Sequence, residues 1–331
     1  MSSWDEATAV QVIDSHTYSA NFPDDWCIGK GWYPRMLALS SWLTLCIVPH
    51  GGFVTGCFLR VVATHFQTTL SKQNQPHTIT LHLEFLRRTQ EGPATFVVKD
   101  VKLGRRTSVV HVTLSQEDRE KVVGYITNSN FQTEEGVSFR TGYSLHPPAL
   151  PVDFSKLKDD KDEHWVRESQ MPFADFRKAS QKVKLFLPRK GQAMRSLADE
   201  WLCFVNGEKF TNTSLGYIAD MFPQIVEGYR DGDDPFDMRP SKNKKKMGRN
   251  WYPTLLLNLD VKKPLPEEGV EFLFVRVRSK QIKNGRFDLE VIIMDAEGDI
   301  IALSNHINFV LDFTRNLAKR RKSGDEDGSK L

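Results

Sequence analysis

The sequence predicts an α+β fold in which one unit, a long helix packed on an antiparallel sheet, occurs twice. Three observations predict it. "TITLHLEFLRR" (Thr78 to Arg88) and "TLLLNLDVKK" (Thr254 to Lys263) alternate apolar and polar residues and align, with Leu81, Leu83 and Glu84 on Leu257, Leu259 and Asp260. Each is followed by a turn with glycine (Gly92, Gly269), two further strand-like stretches and a closing strand. Each is preceded by a long apolar helical stretch. Alternation marks half-buried strands, and recurrence every three or four residues marks helices. One such unit leaves a sheet face and a helix uncovered, so two copies side by side make one continuous sheet carrying two central helices.

The first copy occupies residues 1–131. Its helix starts at "HGGFVTGCFLRVVATHF" (His50 to Phe66), and its later strands are "ATFVVKDVKLG", "RTSVVHVTLSQ" and "KVVGYITNSNF". Residues 132–180 are rich in Pro, Asp and Lys and read as a linker, with a short helix around "MPFADFRKAS". The second copy occupies residues 181–315. Its helix is "SLGYIADMFPQ" (Ser214 to Gln224), where Leu215, Ile218, Met221, Phe222 and Ile225 form an apolar stripe that Asp220 interrupts. Its later strands are "VEFLFVRVRSKQIKNG", "RFDLEVIIMDAEG" and "DIIALSNHINF". Residues 316–331 are polar and charged and read as a disordered tail.

At 331 residues, 40% hydrophobic and 26% charged, the chain has the composition of a soluble globular protein. A net charge of +3 is too small to imply nucleic acid. Cys27, Cys46, Cys57 and Cys203 are scattered without a CxxC pair or zinc spacing, which suits buried thiols in a reducing compartment; no metal is expected. The acidic start "MSSWDEATAV" lacks the apolar core of a secretory signal. "MLALSSWLTLCIV" (Met36 to Val48) is apolar over about thirteen residues, short of the roughly 20 a spanning helix needs, so no membrane span is expected. The chain closes on Ser329, Lys330 and Leu331, a peroxisomal address whose partner is an import receptor. The alternative is a charged tail that stops there by chance.

The HGG at His50 to Gly52, "YIADMFP" and the "GR" at Gly285 and Arg286 carry a resemblance that runs from about Val12 to Phe313. The chain resembles the acyl-CoA thioesterase family of TesB type, in its fungal branch, and the fold this implies is the double hotdog. The resemblance implies hydrolysis of acyl-CoA thioesters to free acid and coenzyme A. No separate cofactor is implied, since coenzyme A belongs to the substrate. Sheets of this fold commonly associate, so a homo-oligomer is an open expectation.

Thioester hydrolysis needs a held, deprotonated water and donors for the developing oxyanion. The resemblance assigns the water to an Asp on the second helix, a Thr on the next strand and a Gln on the last strand. Asp220 and Thr254 match the first two. His306 stands at the Gln position, with Asn128 as its first-half counterpart and Phe58 facing the place of Asp220. A neutral histidine can replace a Gln amide, and it can also take a proton. Asp220 and His306 then form an acid/base pair; equally, loss of Gln ends hydrolysis. The alternatives are a surface acid, an ordinary strand threonine and a core histidine. His50, Gly51 and Gly52 open a helix whose free N–H groups suit a thioester oxygen; the alternative is tight packing.

The loop "RPSKNKKKMGRNW" holds Arg239, Lys242, Lys244, Lys245, Lys246 and Arg249 before the Thr254 strand. It suits the phosphates of coenzyme A, or is simply solvated. It lacks the interleaved aromatics of a nucleic-acid site. Arg105 and Arg106 are a second phosphate candidate. Lys30 to Ile47 departs from the family pattern, which passes from a WCIG-like strand almost directly to HGG. It reads either as an inserted helix that covers the pocket or as a translated retained intron. Two rival functions remain. One is a dehydratase, hydratase or cyclase on the same fold, although the DxNPxH pattern of hydratases is missing. The other is a non-catalytic acyl-binding protein.

Overall fold

The alternating stretches become strands of one 14-stranded sheet among the described residues. The computed structural model describes residues 2–29, 47–169, 171, 174–229, 236–239 and 250–312. The first half supplies β1 (Val10–Val12), β2 (Thr17–Phe22), β3 (His77–Phe85), β4 (Gly92–Lys102), β5 (Ser108–Gln116) and β6 (Arg119–Ser129). The rest supplies β7 (Trp165–Arg167), β8 (Val183–Pro188), β9 (Leu197–Phe204), β10 (Thr254–Val261), β11 (Leu273–Arg278), β12 (Arg286–Met294) and β13 (Ile300–Phe309). Their order is β1-β2-β4-β5-β6-β3-β10-β13-β12-β11-β9-β8-β7, with Ile282–Lys283 paired to β12.

The halves join where β3 pairs antiparallel with β10. Leu83 stands opposite Leu257, His82 opposite Asn258 and Leu81 opposite Leu259. These are the leucines that align in the sequence, so a pseudo-twofold axis passes between His82 and Asn258. Burial explains the register. Leu81, Leu83, Leu257 and Leu259 are all buried, and a slip of one residue would turn every one of them to the other face.

Four α-helices are described: α1 (Trp4–Ala7), α2 (Gly51–Gln67), α3 (Phe154–Lys158) and α4 (Leu215–Ala219). α2 is the long first helix the sequence predicts; it buries Phe53, Val54, Cys57, Phe58, Val61 and Val62 in the main core. The second helix departs from expectation. α4 has five residues, Asp220 is its C-cap, and the chain continues as a 3-10 helix over Pro223–Tyr229. Proline explains the break. Pro223 has no N–H to continue the helix, its ring would clash with the carbonyl of Ala219, and Phe222 before it is pushed out of the helical region.

The segment expected to be a linker also does more than connect. It supplies α3 and the edge strand β7, and it buries Leu157 and Trp165 in a second core with Phe186, Trp201, Phe272 and Phe274. Around Met171 to Ser180 the described residues form short 3-10 turns, Ala174–Phe176 and Ala179–Lys182, rather than one helix. The "DDWCIG" stretch is a 3-10 turn followed by Cys27–Ile28, which pairs with Val48–Pro49. The chain therefore leaves toward residue 30 and returns at residue 47 at one point. The insertion, the loop cations Lys244, Lys245 and Arg249, and the tail with Ser329, Lys330 and Leu331 lie outside the described residues.

Candidate active site

α2 and α4 approach so closely that a Cβ on Gly216 would stand 2.6 Å from Thr55 Cγ2. This places the end of α4 against the start of α2. Asp220, 4% exposed, points at the α2 N-terminus and not into solvent. Its Oδ2 accepts the Gly52 N–H at 2.8 Å, and its Oδ1 accepts the Thr254 hydroxyl at 3.1 Å. Unpaired N–H groups and the helix dipole favour an anion there. Thr254 opens β10 and in turn accepts from Asn308 Nδ2 at 3.1 Å. Burial raises the Asp220 carboxyl, but the facing His306 and His50 rings in their protonated forms and the Thr254 hydroxyl outweigh it and hold it below the ordinary carboxylate range.

Two histidines flank this carboxylate. His50 caps α2: its Nδ1 accepts the Gly52 N–H at 3.1 Å and lies 3.8 Å from Asp220 Oδ2. Burial lowers the His50 pKa, with Asp220 offsetting part of the effect. His306, 2% exposed, brings Nδ1 to 3.5 Å from Asp220 Oδ1, where it makes no hydrogen bond. Its Nε2 is 2.8 Å from Ser304 Oγ. Ser304 gives its single hydroxyl proton to the carbonyl of Asn258. Ser304 Oγ must therefore accept from His306 Nε2–H, and the hydrogen-bond network assigns the neutral ring a bare lone pair on Nδ1.

Asp220, Thr254, His50 and Gly51 line a cleft of about 300 Å³, and His306 is not among its lining residues. Ile28, Val48, Phe85, Phe176, Trp251 and Phe309 make its walls apolar, and Arg87, Arg88 and Arg177 also line it. Asn250 Nδ2 and the Tyr252 hydroxyl both donate to the buried Glu227 carboxylate, which anchors the strand end just before Thr254. The cleft combines apolar walls, a few converging polar groups and a cationic lining, the usual make-up of a ligand site.

Residues 39–129 match the acyl-CoA thioesterase N-terminal domain and residues 148–310 the C-terminal domain. The chain belongs to the acyl-CoA thioesterase family. It is 36% identical to the thioesterase-like protein TwmA of Talaromyces wortmannii over 98% of this chain and 96% of that one. Among solved structures it is similar to a hot dog fold protein from Alicyclobacillus acidocaldarius (TM-score 0.67, 15% identity, covering 94% of this chain and 98% of that one). It is also similar to the acyl-CoA thioesterase II TesB2 of Mycobacterium marinum (TM-score 0.59, 14% identity, covering 94% and 98%). These likenesses establish the double hotdog fold.

The three positions suggested by the resemblance to this thioesterase family, Asp220, Thr254 and His306, meet at one point. The surface-acid alternative for Asp220 fails on burial. His50 and Gly51 line the cleft. Gly52 corrects an expectation: its N–H is spent on Asp220 and is not free for a thioester oxygen. A Cβ there would stand 2.8 Å from the Gly216 carbonyl and 2.9 Å from Tyr217 Cα, so close packing demands glycine. Arg105 and Arg106 line a separate polar depression with Asn74 and Gln75, beyond the far end of α2.

The first-half counterparts also change. Thr78 pairs with Asn128 as Thr254 pairs with Asn308, and Leu81 pairs with Ile126 as Leu257 pairs with His306. The counterpart of His306 is thus Ile126, while Asn128 matches Asn308. Counting from the crossing glycines, Arg60 lies four residues past Gly56, as Asp220 lies four past Gly216. Arg60, not Phe58, holds the acid's mirror position. Sequence reasoning missed Ser304 and Asn308. Both alternate with His306 on one face of a strand, and that two-residue spacing is the signal that marks them.

Proposed function

We propose that this member of the family hydrolyses acyl-CoA thioesters, with Asp220, oriented by the Thr254 hydroxyl, holding a water and His306 Nδ1 accepting its proton. One observation carries this: a buried histidine nitrogen with a lone pair and no hydrogen-bond partner, beside a carboxylate and a hydroxyl on the floor of a cleft. A water there donates one hydrogen to Asp220 Oδ1 and the other to His306 Nδ1. Its oxygen attacks the thioester carbon as the proton passes to Nδ1. The tetrahedral intermediate then collapses, the C–S bond breaks, and the leaving sulfur takes that proton. Arg87, Arg88 and Arg177 are placed to attract the phosphates of coenzyme A, and the basic loop rejoins the described chain at Asn250, on the same cleft.

Free-thiol release across a chain-length series of acyl-CoAs tests this reading. His306→Phe should lose release, because an apolar ring neither accepts from the water nor takes its proton. Wild-type release by His306→Phe would remove His306 as the base. Absent release with tight acyl-CoA binding would favour a binding protein. Absent release with turnover of a hydroxyacyl or polyketide-like substrate would favour the dehydratase or cyclase, for which Asp220 and His306 would be the acid/base pair.

The terminal Ser329, Lys330 and Leu331 support peroxisomal import, a compartment that handles acyl-CoA. A fluorescent protein fused at the N-terminus is expected to co-localise with a peroxisomal marker and to become diffuse when the tripeptide is deleted. The same distribution with and without it would overturn this assignment.

A further inference from the structure

The far end of α2 carries a polar cluster that hydrolysis does not use. His65, in the last turn of α2, is wholly buried. Its Nε2 lies 2.9 Å from Asp100 Oδ1 on β4. His16, in the turn between β1 and β2, brings its own Nε2 to 3.3 Å from Asp100 Oδ2. These ligand atoms all lie within 4.8 Å of one another. Three separate elements, a hairpin turn, a helix and a strand, thus aim two imidazoles at one carboxylate.

The outer ring nitrogens are held in place. His65 Nδ1 is 2.8 Å from the Tyr18 hydroxyl, which also lies 3.3 Å from the Ser15 carbonyl. Without a metal, Tyr18 donates to Nδ1 and Nε2–H donates to Asp100; with a metal on Nε2, the hydroxyl turns to Ser15 and accepts from Nδ1–H. His16 Nδ1 is likewise engaged, 2.8 Å from Ser15 Oγ. Ring orientation fixed through the distal nitrogen is the outer-sphere arrangement found around metal-bound histidines.

We propose that His16, His65 and Asp100 form a binding site for a divalent first-row transition-metal ion, zinc foremost. Two imidazoles and a carboxylate are ligands zinc accepts, at about 2.0–2.2 Å from the ion, with water in the fourth position. The present spacings need only small shifts to admit it. His16 and Asp100 are 42% and 24% exposed, which gives the ion a route in from solvent. The site stands about 21 Å along α2 from Gly51, so it touches no reacting atom. Its effect is to tie the β1–β2 hairpin, at the outer edge of the sheet, to α2 and β4. Scattered cysteines gave no hint of it, because its ligands are neither thiols nor neighbours in the chain.

The test uses the full chain, stripped with a chelator and titrated with Co²⁺ and Zn²⁺. One equivalent of Co²⁺ should produce a visible d–d absorption band, and saturating Zn²⁺ should raise Tm. His16→Ala, at a half-exposed ring, should weaken metal affinity by about tenfold or more and leave metal-free Tm and thiol release unchanged. Asp100→Asn should do the same to affinity. No band and no Tm shift in the wild type, or equal shifts in wild type and both variants, would overturn the site and leave a plain His65–Asp100 hydrogen bond. The outcome does not depend on whether the cleft hydrolyses thioesters.

Discussion

Asp220→Ala is expected to lower free-thiol release by about 10²–10⁴-fold, the usual range for removing a group that positions or moves a proton. The carboxylate has two tasks in the proposed step. It orients the water toward the thioester carbon, and its charge stabilises the imidazolium that forms on His306. Asp220→Asn separates shape from charge, since an amide oxygen still accepts from Gly52 N–H. Both variants should lose activity alike, with unchanged circular dichroism. Wild-type turnover by Asp220→Asn would sink the assignment.

The same substitution has a signature in stability. The folded Asp220 pKa lies below its unfolded value, about 3.9. Its ionised form therefore contributes stability that is fully present above about pH 4 and is lost as pH falls through the lower folded value. Denaturant unfolding at pH 7 and pH 3 should show wild type losing stability relative to Asp220→Asn between the two. An unchanged difference would mean that the folded and unfolded pKa values coincide.

Trp4→Ala is expected to cost about 3–5 kcal/mol, the range for deleting a large buried ring. Trp4 sits in a four-residue helix that would not persist alone, yet its side chain is 2% exposed. Its ring packs edge-on to Trp26 at 5.3 Å and to Phe53 at 6.2 Å, and tilted on Tyr217 at 5.6 Å. Its Nε1 donates to Thr213 at 3.1 Å. It therefore joins the N-terminal segment to both halves. Gly56 is glycine for this reason, since a Cβ there would stand 2.3 Å from the Trp4 ring. The midpoint of urea unfolding should fall at constant slope. A loss below about 1 kcal/mol would place the N-terminal segment outside the cooperative core.

The repeat was legible because it is written locally. Leucines two apart at Leu81/Leu83 and Leu257/Leu259 announce a buried face, and that face then dictates the register of the central pair. The break at Asp220 was visible in principle, since Pro223 lies within the apolar stripe. The stripe misled because residues on both sides of the break are buried, Met221, Phe222 and Ile225 among them. Periodicity reports burial, and a 3-10 segment buried all round reports it too. The linker reading failed similarly. Pro, Asp and Lys surround Leu157 and Trp165, and composition averaged over the segment hides two core anchors.

The sequence by itself determined the doubled unit, its α+β class and the residue types available for chemistry, because alternation and helical spacing follow from which side of each element must leave water. Only the tertiary structure decided that Asp220 faces Gly52 and Thr254, that Ser304 sets the proton of His306, and that His16 meets His65 and Asp100. Those contacts join residues far apart in the chain. They depend on how two helices cross and how the two halves of one sheet share a seam, and no local pattern encodes a distance between elements.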